Sequence, residues 1–258
     1  MDFSRLKVGT MLIPEGTKAG NSSSRLPVLV HHLCILYNVT MTYKAVLFDL
    51  DGTLLDTLQD IADATNVVLV QFGFPIHDLQ TYRYFMGEGM ASLAFKALPE
   101  LYRDPDTLKQ FLSGITNEYK ERWAIHTKLY PGIPELLDAL VTNRIKMAVL
   151  SNKPHEFTVL QVEKLLPKWN FDQVIGESGI IHRKTDPTEA LEISKKLLIS
   201  PAEFIYLGDT DIDMKTATSA GMYPVGALCG FRTDNELLAG GAKVLIQRPR
   251  DLLEMVSL

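Results

Sequence analysis

The chain has 258 residues, of which 46% are hydrophobic and 22% charged, and its formal net charge is −5. This composition is typical of a globular chain with one or two domains, and the acidic balance excludes the basic footprint of a nucleic-acid-binding protein. No apolar run reaches the ~18 residues of a membrane-spanning helix. The two cysteines, Cys34 and Cys229, lie far apart, which excludes a disulfide scaffold and predicts a reducing, cytoplasmic location.

Residues 1–40 differ from the remainder of the chain. They contain Gly, Ser and Pro and follow neither the helical nor the strand period. The apolar stretch over 26–41 is interrupted by His31 and His32 and has no small-residue cleavage site, which disfavours a signal peptide. The sequence therefore predicts an extension over 1–40, either disordered or upstream of a true start at Met41, with a targeting role as the alternative.

From residue 44 onward, short apolar runs alternate with amphipathic helical patterns. Near-continuous apolar runs of this length are typical of parallel strands covered on both faces. Helices are predicted between them, for example over 134–143, 186–198 and 213–220, the last ended by Gly221. The alternation predicts an α/β, Rossmann-like, doubly wound parallel sheet. The predicted strands cover residues 45–48, 147–150, 174–175, 204–207, 224–228 and 244–246.

One long segment interrupts this alternation. Between Asp56 and Pro131 the pattern is helical and contains no convincing strand. About seventy residues is far more than a crossover between neighbouring strands requires. We therefore predict an inserted α-helical cap over residues 57–130, with residues 43–56 and 131–258 forming the α/β core. The predicted helices of the cap cover residues 57–72, 90–98 and 106–125.

Aspartates follow two of the predicted strands. Asp49 and Asp51 follow the first strand, and Asp209 and Asp213 follow the strand over 204–207. Ligands of open α/β sheets bind beyond the carboxyl ends of the strands, so these carboxylates are expected to meet at one edge. Neighbouring carboxylates repel each other unless a cation lies between them, and hard oxygen ligands suit Mg²⁺. Taken singly, each is more typical of a helix cap or a turn, Asp213 above all.

Polar motifs occur at four places in the chain. They are DLDGTL at 49–54, Ser151-Asn152, Lys184 and GDTDID at 208–213. In this order and spacing they resemble the signature of the haloacid dehalogenase superfamily, and the resemblance extends from about Tyr43 to the C-terminus. The helical segment after the first motif is similar to that superfamily's α-helical cap.

Two further motifs are similar to those of the phosphoglycolate phosphatase branch of that superfamily. They are MGEGM at 86–90 and KTDP at 184–187, where the branch usually has Pro in place of Thr185. The resemblance implies a Mg²⁺-dependent phosphatase that acts on a small phosphorylated metabolite, with phosphoglycolate as the first expected substrate. It implies neither a nucleic-acid nor a membrane partner, and the sequence indicates no particular oligomeric state.

The resemblance also implies a role for each aspartate. Asp49 is expected to be the nucleophile that forms an aspartyl-phosphate. Asp51 is expected to protonate the leaving alcohol and then to take a proton from the attacking water. The Mg²⁺ ligands are expected to be Asp49, Asp51 through its backbone carbonyl, Asp209 and Asp213.

Further residues are expected to bind the phosphate and the rest of the substrate. Ser151 is expected to hydrogen-bond a phosphoryl oxygen, and Lys184 to neutralise the phosphate. We assign this role to Lys184 because a predicted helix starts directly after it. Its neighbour Arg183 and the more distant Lys153 are therefore not assigned the role. The expected substrate-binding residues are Thr53, Asn152, Gly87 and Gly89, of which the two glycines are equally typical of turns.

Three other activities stay open at this point. A phosphomutase passes the phosphoryl group to a sugar instead of water. A phosphonatase needs a lysine in the cap that forms a Schiff base. A phospho-accepting signalling receiver also clusters acids with a Ser/Thr and a Lys, but its paired acids precede the phosphorylated one, the reverse of the order here. The candidate lysines for a phosphonatase are Lys96, Lys109, Lys120 and Lys128.

Overall fold

The computed structural model describes residues 43–178 and 186–256. The extension predicted over 1–40 and the predicted phosphate-binding Lys184 lie outside the described residues. Within them, every helix is too short or too polar to cross a membrane.

The strands of the described residues form two sheets. In chain order they are β1 Ala45–Phe48, β2 Leu55–Asp56, β3 Lys128–Leu129, β4 Lys146–Pro154, β5 Gln173–Glu177, β6 Phe204–Gly208, β7 Tyr223–Ala227 and β8 Val244–Ile246. The larger sheet has six strands in the order β5-β4-β1-β6-β7-β8, and all its pairings are parallel. The predicted α/β fold class with a parallel sheet is confirmed.

The α-helices lie between these strands along the chain. In chain order they are α1 Leu58–Gln71, α2 Leu79–Phe85, α3 Met90–Ala97, α4 Pro105–Arg122, α5 Ile133–Thr142, α6 His155–Leu165, α7 Thr188–Leu197, α8 Asp211–Ala220 and α9 Asp234–Gly240. We refer to residues 57–127, which carry α1 to α4, as the helical insertion. It supplies most of one hydrophobic cluster, including the fully buried Tyr82, Phe111 and Tyr119, to which the core adds Phe157 and Phe231.

The central strand β1 is buried on both faces. Val46 and Phe48 enter one hydrophobic cluster with residues of α5, whereas Ala45 and Leu47 enter another with residues of α7 and α8. A strand covered on both faces needs apolar side chains at every position, which explains the uninterrupted run that predicted it. Because β4 and β6 flank β1, the ends of all three strands meet at the same edge.

Local signals explain where several helices begin and end. The side chain of Asp104 accepts hydrogen bonds from the N–H groups of Asp106 and Thr107, which starts α4 with Pro105 in its first turn. Gly221, in the left-handed region at φ 72°, ends α8 as predicted. The helix predicted from Asp186 begins two residues later, at Thr188.

The chain enters and leaves the helical insertion side by side, which corrects the expectation that no strand lies near its ends. Strands β2 and β3 pair in antiparallel fashion. Asp60, at the start of α1, accepts hydrogen bonds from the N–H groups of His126 at 2.9 Å and Thr127 at 2.8 Å and from the Thr127 hydroxyl at 2.7 Å. Asp60 thus joins the two connections that link the insertion to the core.

Candidate active site

Three of the predicted metal ligands converge at the carboxyl edge of the sheet. Asp49 follows β1, and Asp209 and Asp213 follow the neighbouring strand β6. One carboxylate oxygen of each lies within 4.8 Å of those of the other two, and all three residues are buried. Three hard oxygen donors in so small a volume repel one another unless a cation is shared between them. This donor set fits a hard divalent cation such as Mg²⁺.

Hydrogen bonds fix two of these carboxylates. Asp209 accepts from the backbone N–H of Phe231 at 2.7 Å and from the hydroxyl of Thr53 at 3.2 Å. Asp213 accepts from the N–H and the hydroxyl of Thr210 at 3.0 and 2.7 Å, and this pair forms a capping box at the start of α8. Asp213 therefore also has the helix-capping role that the sequence offered as an alternative. Thr53 was expected to bind substrate, and in the structure its hydroxyl donates a hydrogen bond to Asp209.

Gly52 allows the chain to turn away from β1 without displacing Asp209. Its φ of 89° lies in the left-handed region, and an added Cβ would lie 2.3 Å from Oδ2 of Asp209. Glycine adopts this conformation without steric cost and leaves room for the carboxylate. The DLDGTL motif thus needs glycine at this position for two separate reasons.

A cavity lies between the carboxyl edge and the helical insertion. About 480 Å³ of space lies between its atoms, a volume that includes open solvent. The core lines it with Asp49, Asp51, Ser151, Asn152, Lys153 and Pro154, and the insertion lines it with Ile61, Met86, Gly87, Gly89, Met90 and Leu93. The core wall is therefore polar and the insertion wall is apolar.

Strand β4 continues beyond its predicted end and brings two predicted residues to the cavity. Its register with β5 shifts between Leu150 and Pro154. In this irregular stretch, Ser151 accepts a hydrogen bond from the N–H of Lys153 at 3.2 Å. The side chain of Asn152 donates to the carbonyl of Gly87 at 2.8 Å and so connects the core to the insertion.

Lys153 lines the site although the sequence did not select it. Its side chain is only 2% exposed, and its Nζ lies 3.0 and 3.1 Å from the two carboxylate oxygens of Asp51. Burial by itself would lower the pKa of Lys153, but the neighbouring Asp51 and Tyr119 outweigh burial and raise it above the usual value. The sequence feature that could have identified Lys153 is its position directly after Ser151 and Asn152.

A loop after β7 docks the helical insertion on the core. Arg232 in this loop donates to the carbonyls of Arg83 at 2.5 Å and Met86 at 2.9 Å, and Arg83 in turn donates to the carbonyl of Gly230. Phe231, between the two loop residues, packs into the hydrophobic cluster of the insertion. Because the Phe231 N–H binds a carboxylate of the aspartate group, one loop contacts both the insertion and the predicted metal site.

Comparison with known proteins identifies the family. Residues 46–227 match the family model described as haloacid dehalogenase-like hydrolase. The chain belongs to the haloacid dehalogenase-like hydrolase family. This match spans β1 to β7 and includes every described residue of the candidate site except the loop at Gly230 to Arg232.

Relatives of known name place this hydrolase among the phosphatases of the family. A phosphoglycolate phosphatase from Aquifex aeolicus (strain VF5) is 30% identical over 214 residues, which cover 83% of this chain and 97% of the relative. One from Nitrosospira multiformis is 32% identical over 185 residues, 70% of this chain and 81% of the relative. A crystal structure assigned as a phosphoglycolate phosphatase from Lactobacillus delbrueckii subsp. bulgaricus matches with a TM-score of 0.78 and 29% identity, covering 83% of this chain and 98% of the other.

In this hydrolase of the haloacid dehalogenase-like family, the lysines considered for a phosphonatase do not belong to the described lining of the cavity. Lys96 pairs with Glu88 at 3.0 Å and Lys120 with Glu156 at 3.9 Å. Among the described residues that line the cavity, the only lysine is Lys153. The four candidates, Lys96, Lys109, Lys120 and Lys128, are therefore absent from that described lining.

Proposed function

We propose that this enzyme is a Mg²⁺-dependent phosphatase that hydrolyses a small phosphomonoester through an aspartyl-phosphate, with 2-phosphoglycolate as the first substrate to test. The observation that carries the proposal is the buried group formed by Asp49, Asp209 and Asp213, whose carboxylate oxygens lie within 4.8 Å of one another. Asp49 also lines the adjoining cavity. The relatives named phosphoglycolate phosphatase support the choice of substrate, and the cysteine usage predicts a cytoplasmic setting.

In the first half-reaction, a carboxylate oxygen of Asp49 attacks the phosphorus atom of the substrate. The bond between phosphorus and the leaving oxygen breaks, and the phosphoryl group becomes attached to Asp49. Asp51, on the same wall of the cavity, gives a proton to the leaving oxygen. This proton transfer matters most for alkyl phosphates, because an alkoxide is a strong base and a poor leaving group.

In the second half-reaction, a water molecule attacks the phosphorus atom of the aspartyl-phosphate. Asp51 takes a proton from that water, which restores its protonated form. The bond between Asp49 and phosphorus breaks, and inorganic phosphate leaves with the carboxylate of Asp49 regenerated. Transfer to water in this step distinguishes a phosphatase from a phosphomutase.

The charges of the site support this chemistry. Mg²⁺ held by Asp49, Asp209 and Asp213, together with the backbone carbonyl of Asp51, would offset the repulsion between the attacking carboxylate and the phosphate. The hydroxyl of Ser151, at the cavity wall, donates to a phosphoryl oxygen. Lys184 remains the predicted second positive charge at the phosphate.

The helical insertion limits what the substrate carries beyond its phosphate. Met86, Met90 and Leu93 face the core residues across the cavity. Such an apolar wall excludes water from the reacting phosphate and leaves room for a compact group. Gly87 and Gly89 bring the backbone of the insertion to the cavity lining, so that backbone N–H groups there contact the substrate.

Phosphate release tests the proposal directly. We expect the wild-type enzyme to release phosphate from 2-phosphoglycolate and p-nitrophenyl phosphate with Mg²⁺ and to lose this activity with EDTA. Asp49→Asn should lower turnover by at least about 10⁴-fold, because an amide does not attack phosphorus. Asp211→Asn, which changes a partly exposed aspartate of the GDTDID motif that pairs with Lys215, is the control and should retain activity.

The outcomes separate the competing activities. Turnover of both substrates without dependence on Asp49 would contradict the assigned nucleophile. Transfer of the phosphoryl group to a sugar, with little release to water, would favour a phosphomutase. The rate ratio between the two substrates measures how well 2-phosphoglycolate suits the site.

A further inference from the structure

Lys153 is the only cation among the described residues that line the cavity. Its Nζ lies 3.0 and 3.1 Å from the two carboxylate oxygens of Asp51, and the side chain of Asp51 is itself only 12% exposed. A buried charge-assisted pair of this kind restricts both side chains to one geometry, because breaking it leaves an uncompensated charge. The direction of the Asp51 carboxylate therefore depends on Lys153.

The helical insertion holds Lys153 from the other side. The Nζ of Lys153 lies 4.8 Å from the centroid of the Tyr119 ring in α4, a distance at which a cation is attracted to the aromatic face. Tyr119 is fully buried. Its hydroxyl accepts a hydrogen bond from Gln161 at 2.9 Å, and its ring packs against Phe157 with 5.0 Å between centroids. Two residues of the core helix α6 thus fix the ring that covers Lys153.

We propose that Lys153 is a positioning residue for Asp51, and that Tyr119 couples this position to the docking of the helical insertion on the core. The proposal rests on the proposed function, because it assumes that Asp51 transfers protons to and from the reacting oxygens. Lys153 acts through Asp51 and does not touch the phosphoryl group. The three residues form a continuous path from the insertion to the acid of the first motif.

The contacts of Lys153 favour this role over substrate binding. The carboxylate of Asp51 neutralises its charge at close range, and the Tyr119 ring covers another side of the ammonium group. A substrate anion would have to compete with Asp51 for the same buried cation. Lys153 therefore already has a close anionic partner and an aromatic partner within the protein.

The test compares two substrates that differ in how much they need a proton on the leaving oxygen. The leaving group of p-nitrophenyl phosphate departs as a stable anion, whereas that of phenyl phosphate is more basic and depends more on an acid. Both are neutral, compact aryl groups that suit the apolar wall. Because kcat/KM reports only the steps up to departure of the leaving group, we expect Lys153→Met to lower kcat/KM by about 100-fold with phenyl phosphate and by about tenfold or less with p-nitrophenyl phosphate.

The matched control is Lys120→Met. Lys120 adjoins Tyr119 in sequence, but its side chain is 49% exposed and 3.9 Å from its partner Glu156. Because surface ion pairs contribute little, this variant should keep both rates within about twofold of the wild type. Melting curves of both variants show whether each is folded.

A second pair of variants tests whether Lys153 acts through Asp51. Asp51→Asn should show the same dependence on the leaving group, and adding Lys153→Met to it should lower kcat no further, because the two residues act as a unit. Tyr119→Leu should reproduce the effect of Lys153→Met in weaker form. Tyr119→Phe keeps the aromatic face and should stay closer to the wild type.

Three results would overturn the positioning role. They are equal losses of kcat/KM on both substrates, a rise in KM with kcat unchanged, and losses that multiply in the variant with both substitutions. Failure of the proposed function has a different signature, since the wild-type enzyme would then lack turnover that depends on Asp49. Turnover lost in Asp49→Asn but kept in Lys153→Met would leave the function standing and remove the role of Lys153.

Discussion

The two walls of the cavity are built by different kinds of contact. On the core side, Asp49 directly follows strand β1, and Ser151 and Asn152 lie in strand β4. On the insertion side, long-range contacts hold the wall in place, such as the hydrogen bonds from Asn152 to Gly87 and from Arg232 to Met86. The reacting groups of this enzyme are therefore positioned by short sequence motifs, whereas closure of the cavity depends on contacts between segments that are distant in the sequence.

Substituting alanine for one glycine of the core and for one glycine of the insertion tests this difference between the two regions. Gly52 and Gly89 have similar φ values of 89° and 86°, so alanine strains both backbones alike. The new Cβ would lie 2.3 Å from a carboxylate oxygen of Asp209 at Gly52, but 2.8 Å from one of Glu177 at Gly89. Because misplacing a reacting group is costly, Gly52→Ala should lower kcat by about 100-fold. Gly89→Ala should mainly raise KM, by about tenfold.

Steady-state kinetics of both variants, with melting temperatures as a check on folding, measure this difference. An equal loss of kcat in the two variants would contradict it. The loop at Gly89 would then serve the chemical steps as directly as the core edge does.

Removal of an arginine from the docking loop tests how this loop holds the insertion wall in place. Arg232→Met loses the hydrogen bonds to the carbonyls of Arg83 and Met86. We expect kcat/KM to fall by about tenfold, because an undocked insertion leaves the cavity open to water. Limited proteolysis should also cut the insertion faster than in the wild type.

Arg248→Met is the control for the docking loop, since Arg248 pairs with Asp251 at the surface and its side chain is 61% exposed. Its kinetics should stay within about twofold of the wild type. Similar effects of the two substitutions would show that Arg232 contributes only its charge.

Asp60, which joins the two connections between the helical insertion and the core, makes the stability of the fold depend on pH. Burial by itself would raise the pKa of Asp60, but the hydrogen bonds from Thr127 and His126 outweigh burial and lower it. A carboxyl whose pKa is lower in the folded state stabilises the fold above its unfolded-state pKa of about 4. That contribution is lost as the pH falls through the lower folded-state pKa.

Asp60→Asn should therefore lower the free energy of unfolding by about 1–3 kcal/mol at pH 7. Urea unfolding of both proteins at several pH values measures the difference, which should shrink below about pH 4. A difference that is constant across this range would show that the ionised form of Asp60 adds nothing to stability.

Much of the core was predictable because its signals are local. The run at Ala45–Phe48 predicts β1 with the bounds that the structure has, and so does the run at Val244–Ile246 for β8. Asp49, Asp209 and Asp213 meet because adjacent parallel strands end at one edge. The rule that ligands bind beyond the carboxyl ends of parallel strands was enough to expect this group.

Features that depend on contacts between distant segments could not be predicted from the sequence. The helix α2, Leu79–Phe85, is short and owes its place to contacts with the remainder of the insertion. Strands β2 and β3 have two residues each and are defined only by their mutual pairing. Lys153 was not selected, because Tyr119, which covers it, lies in helix α4 of the insertion and not next to Lys153 in the sequence.

The strongest test of the proposed mechanism is whether the side chain of Asp49 becomes phosphorylated during turnover. Enzyme mixed with substrate and Mg²⁺ is quenched rapidly in acid, treated with borohydride to convert an aspartyl-phosphate to homoserine, and digested for mass spectrometry. The proposed mechanism predicts homoserine at position 49 in the wild type, and an unmodified side chain at that position in Asp49→Asn. Homoserine at another aspartate, or phosphate release in single-turnover experiments with Asp49 unmodified throughout, would contradict it.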